Sequence, residues 1–118
     1  MSDEDLCFST LHQLSEGLRR HKFSPVEVVE THLRRCERLN PLLNAFITLA
    51  AESALEAARQ AEREIAAGNY RGPLHGIPIG LKDVFNTAGI RTTNGSSFYR
   101  DYVPKEVYPV KGYEAKLM

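Results

Sequence analysis

The sequence predicts an α/β fold, and three observations support that prediction. The chain has 118 residues, 42% apolar and 25% charged, with no net formal charge, which is typical of one globular domain. Two segments carry apolar residues at helical spacing, and residues 50–67 are rich in alanine, which favours a helix packed closely on a broad surface such as a sheet. Residues 77–82 alternate bulky and small side chains, as a strand with two unlike faces does.

The first predicted helix runs from Glu4 to Arg20. Leucines recur along one side of it, and Gly17 weakens its last turn. The basic residues that follow lie where the helix dipole favours positive charge, so we interpret them as solvated; an RNA contact is the alternative. The apolar stripe consists of Leu6, Leu11, Leu14 and Leu18.

The second predicted helix begins with a capping box. Ser24 is the N-cap, Pro25 takes the first helical position and Glu27 follows three residues after the serine. Asn40-Pro41 is predicted to end the helix. Its inner face consists of Val28, Val29, His32, Leu33 and Cys36.

The remaining elements are a short strand, a helix and a second strand. The strand is predicted at Asn44–Leu49, and the alanine-rich helix at Ala50–Ala67, closed by Gly68-Asn69. Residues 68–76 form a loop before the strand at Ile77–Leu81. Residues 86–97 contain glycines among threonines and asparagine, which favours loop structure.

Lys82 is the first candidate functional residue, because it ends a short apolar run bracketed by glycines. Burial disfavours the charged form of a lysine, so an amine beside a hollow in water-poor surroundings is suited to proton transfer. Most lysines are solvated surface groups, and the strand pattern alone does not separate the two interpretations.

Several other classes of function lack support in the sequence. Cys7 and Cys36 are too few for a disulfide framework and are predicted to be reduced and half-buried. His32 and Cys36 are one helical turn apart, but two ligands do not make a metal site, so we predict none. No glycine-rich phosphate loop, membrane span or secretory signal is found, and the balanced charge argues against a nucleic-acid binder. The sequence predicts a cytoplasmic protein without a cofactor.

Two blocks of sequence give Lys82 a context. Residues 76–83 read Gly-Ile-Pro-Ile-Gly-Leu-Lys-Asp, and residues 89–96 read Gly-Ile-Arg-Thr-Thr-Asn-Gly-Ser. These blocks, at this separation, resemble the amidase signature family. The similarity extends upstream through Leu39-Asn40-Pro41-Leu42-Leu43-Asn44-Ala45-Phe46 to the helix start at Ser24, and covers roughly residues 5–103. It is closest to aminoacyl-tRNA amidotransferase A subunits and general bacterial amidases.

The resemblance implies a mixed β-sheet between layers of helices, of which this chain holds an incomplete N-terminal portion. It also implies a relay of a lysine, a serine in a cis peptide and a nucleophilic serine that attacks a small amide substrate. Lys82 matches the lysine and is the predicted catalytic residue. The family's two serines lie in a later glycine-rich stretch that this sequence does not reach. Ser96 and Ser97 lack the flanking glycines whose amides would stabilise an oxyanion, and the backbone around them is predicted to shape a wall of the cleft.

We divide the chain into residues 1–103, the N-terminal part of an amidase domain, and residues 104–118, a divergent tail that indicates a truncation or a shifted reading frame. Three interpretations stay open. The chain donates the relay lysine of a split or truncated amidase site, or it is a non-catalytic helical docking module that uses its first two helices against a partner in an amidotransferase-like complex. The third is an unstable product of a pseudogene.

Overall fold

The computed structural model describes residues 1–105, which form four α-helices and one 3-10 helix. Their bounds are α1, Asp3–Phe8; α2, Leu11–Arg19; α3, Pro25–Leu43; α4, Ala51–Ala66; and the 3-10 helix, Ser97–Tyr99. Helices α1 and α4 both pack against α3. The predicted tail lies outside the described residues, apart from its first two positions.

The predicted first helix is two helices, because Ser9 and Thr10 interrupt it. The Ser9 hydroxyl donates a hydrogen bond to the Asp5 carbonyl at 2.7 Å, which ends α1. Thr10 then caps α2 in a capping box with Gln13. Short hydroxyl side chains compete with helical backbone hydrogen bonds and favour caps, and the leucine spacing alone does not report this competition. The break leaves Leu11 48% exposed, whereas the other three leucines of the stripe are buried.

The capping box of α3 is confirmed. The Ser24 hydroxyl accepts a hydrogen bond from the Glu27 N–H at 3.2 Å, and the Glu27 carboxylate accepts one from the Ser24 N–H at 2.7 Å. The predicted end at Asn40-Pro41 is wrong, since α3 continues to Leu43 and closes at Asn44 in a left-handed conformation. A proline in the last turn removes only one backbone donor, and the Asn44 N–H still reaches the Asn40 carbonyl at 2.7 Å.

Removing this cap should destabilise the fold. We expect Ser24→Ala to lower the free energy of unfolding by about 1 kcal/mol, because the Glu27 N–H loses its acceptor. Ser24→Thr retains a hydroxyl and serves as the matched control. Chemical denaturation followed by circular dichroism measures the difference, and equal midpoints and m-values for wild type and Ser24→Ala would remove the energetic role of the cap.

Helix α4 confirms the alanine-rich prediction to within one residue at each end. Its buried side is small, and consists of Ala58, Ala61 and Ile65, which lets α4 approach α3 closely. Gly68 closes the helix with φ of 84°, and its N–H donates to the Ile65 carbonyl at 3.0 Å.

The hydrophobic core lies where α1, α2 and α3 meet. Leu18 and Val28 are the most deeply buried side chains, and Ile77 from the later loop packs against them. Gly17 allows the Phe23 ring to pack against α2, a role that its low helix propensity does not predict. The Phe23 ring covers it so closely that an added Cβ would overlap the ring. The cluster contains Leu6, Leu14, Leu18 and Val28, with Phe23 and Ile77 packed on its edge.

Neither predicted strand forms in residues 1–105. Segments 44–49 and 77–81 have no regular secondary structure, and the only bridge found there is an isolated one between Thr87 and Ile90. Alternating side chains predict an extended backbone, but a strand also needs a neighbour to pair with, and this part of the chain provides none. The mixed sheet is therefore not confirmed, and the α/β prediction holds only for its helices.

Acid should weaken the fold through Glu16. Its hydrogen bond with Arg19 lowers the pKa of Glu16 from about 4.5 to about 2. A carboxyl group whose pKa is lower in the folded than in the unfolded state stabilises the fold at pH values above the unfolded-state pKa. For Glu16 this contribution is lost as the pH falls from about 4.5 through about 2. Thermal melts across this range should show a smaller loss for Glu16→Gln than for wild type, with exposed Glu52→Gln as the control. Equal acid sensitivity of Glu16→Gln and wild type would contradict this assignment.

Candidate functional site

A groove of about 540 Å³ lies between α3 and the loops that follow it. This volume is within the range of small-molecule sites in proteins. Its floor includes α3 and the start of α4, and its walls are the segments 45–50, 78–83 and 85–92. We call it the Lys82 groove, and its main lining residues are Val29, Leu33, Phe46, Ile79, Leu81, Lys82, Phe85 and Ile90.

Lys82 lines this groove, but its side chain is exposed. The water-poor surroundings expected from the sequence are thus not present among residues 1–105. Ile79 and Leu81 are 42% and 40% exposed, so the alternating run does not bury one bulky face. Only Ile77, at its start, reaches the core, because no other described element covers the rest of the run.

The backbone next to Lys82 is fixed by the second sequence block. The Asp83 carboxylate accepts a hydrogen bond from the Thr93 N–H at 2.8 Å and another from the Thr93 hydroxyl. The Asn94 N–H donates to the Asp83 carbonyl at 2.9 Å, and the Phe85 N–H donates to the Lys82 carbonyl at 3.1 Å. We call the Asp83 and Thr93 contact the Asp83–Thr93 clasp. It joins the two blocks, and neither block taken alone predicts it.

The clasp also alters the ionisation of its carboxylate. The Thr93 hydroxyl hydrogen bond, followed by the Thr93 N–H, lowers the pKa of Asp83 below its ordinary value. Hydrogen bonds donated to a carboxylate favour its charged form. Asp83 is therefore an anion at neutral pH, directed at Thr93.

Further backbone hydrogen bonds hold the second block in place. The Thr92 N–H donates to the Tyr102 carbonyl and the Gly89 N–H to the Pro104 carbonyl, both at 3.0 Å. Thr92 and Thr93 are 2% and 8% exposed. The loop prediction for residues 86–97 is thus confirmed outside the short 3-10 helix. Backbone hydrogen bonds to residues 102 and 104 hold this loop in place.

Ser96 serves as a cap in this structure. Its hydroxyl accepts a hydrogen bond from the Phe98 N–H at 3.3 Å at the start of the 3-10 helix. Ser97 is exposed within that helix. Neither serine is among the residues that line the Lys82 groove.

A buried histidine that is not among the residues predicted from the sequence anchors the start of the Lys82 segment. The His75 side chain is 3% exposed; its Nδ1 accepts a hydrogen bond from the Arg71 N–H at 3.1 Å, and its Nε2 lies 2.8 Å from Glu64 Oε2. Nδ1 as acceptor leaves Nε2 as the donor to Glu64. Hydrogen bonds from Gln60 and then His75 lower the pKa of Glu64. The only sequence signal is a histidine placed directly before Gly76.

The pair His32 and Cys36 shows no metal-binding arrangement. The His32 Nδ1 lies 2.7 Å from the Val28 carbonyl of its own helix, and burial raises the pKa of the Cys36 thiol. No group of three or more metal-ligating side chains occurs within residues 1–105. Cys7 and Cys36 are free and half-buried, as predicted. None of the helices in this range is long and apolar enough to cross a membrane.

Comparisons with known proteins agree with the resemblance. Residues 27–108 match the family model described as Amidase. The A subunit of glutamyl-tRNA(Gln) amidotransferase from Methylococcus capsulatus is 47% identical over 107 residues, which are 90% of this chain and 22% of that protein. The protein of the same name from Geobacter metallireducens is 47% identical over 95 residues, 80% of this chain and 19% of that protein.

A relative from Mycobacterium bovis carries the name amidase AmiD. It is 42% identical over 94 residues, which are 80% of this chain and 20% of that protein. The chain therefore spans about a fifth of the length of the curated relatives it matches.

Proposed function

Since this chain belongs to the amidase family, we propose that it supplies the relay lysine, Lys82, to a site that hydrolyses an amide or transfers its nitrogen. The observation that carries this proposal is the position of Lys82 on the wall of the Lys82 groove, beside a clasp that joins both matched blocks. The relatives extend the proposal to glutamine-like amides, because two of them are named as amidotransferase subunits.

In the proposed relay, the neutral Lys82 amine accepts a proton from a serine hydroxyl, which in turn accepts the proton of a nucleophilic serine. The oxygen of the nucleophilic serine then forms a bond to the amide carbonyl carbon, the C–N bond breaks, and the leaving nitrogen takes the proton that Lys82 returns through the first serine. Water then cleaves the acyl-serine, which releases the acid and restores the serine hydroxyl. Both serines come from the family resemblance. Lys82 therefore has to be unprotonated before the reaction, which is why the charges around it matter.

The proposal includes the mixed sheet as the setting of the site. Segments 44–49 and 77–81 both line the Lys82 groove and lack paired neighbours among residues 1–105. Pairing with strands of an amidase domain would cover Ile79 and Leu81 and restrict water around Lys82.

A second function, that of a helical docking module for amidotransferase subunits, is favoured by the exposed apolar residues. Leu42 and Leu43, at the end of α3, are 80% and 66% exposed, and Phe98 is 96% exposed. Apolar side chains this exposed are available for burial against a partner.

A hybrid protein tests the first function against the second. The segment of the Methylococcus capsulatus protein that matches this chain is replaced by this chain's residues, and release of ammonia from glutamine is measured. We expect an active hybrid that Lys82→Ala inactivates. A hybrid that stays active after Lys82→Ala would instead support the docking module, and a folded but inactive hybrid would contradict the proposed site.

A further inference from the structure

The residue next to Lys82 is an acid, which creates a conflict with the proposed chemistry. The Cα atoms of neighbouring residues are about 3.8 Å apart, and a lysine side chain is long and flexible enough to reach an adjacent carboxylate. A carboxylate partner stabilises the ammonium form of a lysine. A relay base must lose its proton, so the position of the Asp83 carboxylate bears directly on Lys82.

The Asp83–Thr93 clasp directs this carboxylate elsewhere. One oxygen accepts the Thr93 N–H at 2.8 Å and the other accepts the Thr93 hydroxyl. Thr93 is 8% exposed, so its hydroxyl is held in place, and the Gly95 N–H donates to it at 3.3 Å. Lys82 takes part in none of the ion pairs formed within residues 1–105.

We propose that Thr93 is a positioning residue that holds the Asp83 carboxylate away from Lys82, so that the amine has no anionic partner in this part of the chain. The other titratable or charged side chains lining the groove are His32 and Cys36 from α3 and Arg91 from the following loop. Helix α4 contributes only alanine to the groove floor. The catalytic meaning of this arrangement rests on the proposed function of Lys82, whereas the charge arrangement itself can be measured in this chain.

Trace labelling of amines tests the proposal on the full 118-residue chain. Limiting acetic anhydride is added at pH 8, and mass spectrometry of peptides gives the acetylation of Lys82 relative to Lys22, an exposed lysine distant in sequence. Thr93→Val removes the hydroxyl at similar size and frees one Asp83 oxygen. We expect relative labelling of Lys82 to fall about threefold, the scale of an exposed ion pair. Thr93→Ser keeps a hydroxyl and should label like wild type.

The double variant Thr93→Val with Asp83→Asn separates charge from structural damage. It lacks the same hydroxyl contact as Thr93→Val but carries no carboxylate, so its Lys82 labelling should recover to the wild-type level or above. Equal labelling in the single and double variants would overturn the proposal, even if both lose local order. That result would leave the proposed function intact, because the hybrid measures ammonia release independently.

Discussion

Replacing Lys82 by arginine in the hybrid protein is expected to abolish ammonia release almost as completely as replacing it by alanine. Arginine keeps the positive charge and much of the length, but it does not lose its proton in a protein. If Lys82 only supplied a positive charge, the enzyme would tolerate arginine at this position. If Lys82 accepts a proton, the arginine variant should be inactive. Positioned general bases contribute about 100-fold to 10 000-fold to rates, so we expect kcat to fall by at least about 100-fold.

The matched control for this substitution is Lys22→Arg. Lys22 follows α2, is exposed and lies outside the Lys82 groove, so its substitution should leave kcat unchanged. Circular dichroism of each hybrid verifies that the fold is retained. Substantial activity in a folded Lys82→Arg hybrid would show that Lys82 does not relay protons.

The second large effect concerns the 118-residue chain by itself, which we expect to release no ammonia from glutamine and to associate. Lys82 supplies one of the three relay groups, and Ser96 is engaged as a cap. Exposed apolar side chains should bind a hydrophobic dye and promote association, because nothing in residues 1–105 covers them. Dye fluorescence and light scattering at increasing protein concentration measure both effects.

The matched variant replaces Ile79 and Leu81 by threonine. Both side chains are exposed on the wall of the Lys82 groove, so we expect weaker dye binding and less association with unchanged helix content. A monomer with a sharp cooperative melt and measurable glutamine turnover would contradict both halves of the prediction. It would then direct attention to Ser96 and Ser97 as nucleophiles.

Local chemistry made the helices predictable. The capping box at Ser24 and the helix end at Gly68 can each be recognised from a few consecutive residues, and both are confirmed. The break at Ser9 is not apparent from the leucine period, which continues across it. The strands were predicted from alternation alone, and alternation does not say whether a pairing partner is present.

The candidate site was only partly predictable for a related reason. Lys82 follows from its sequence block, and the family match supports that block. The Asp83–Thr93 clasp joins residues ten positions apart across an irregular loop. Hydrophobic periodicity does not predict the path of such a loop, so the contact is visible only in the structure. The burial expected for Lys82 depends on neighbours outside its own segment, and residues 1–105 leave it exposed.

The side chain of Asn40 limits how a sheet could form beside α3. Its amide oxygen accepts the Phe46 N–H at 2.8 Å, and its amide nitrogen donates to the Phe46 carbonyl at 3.0 Å. One side chain thus makes with Phe46 both bonds that an adjacent strand would make. A strand that approached this edge would find the N–H and C=O of Phe46 already bonded, so Phe46 could join its ladder of hydrogen bonds only if the Asn40 side chain released it.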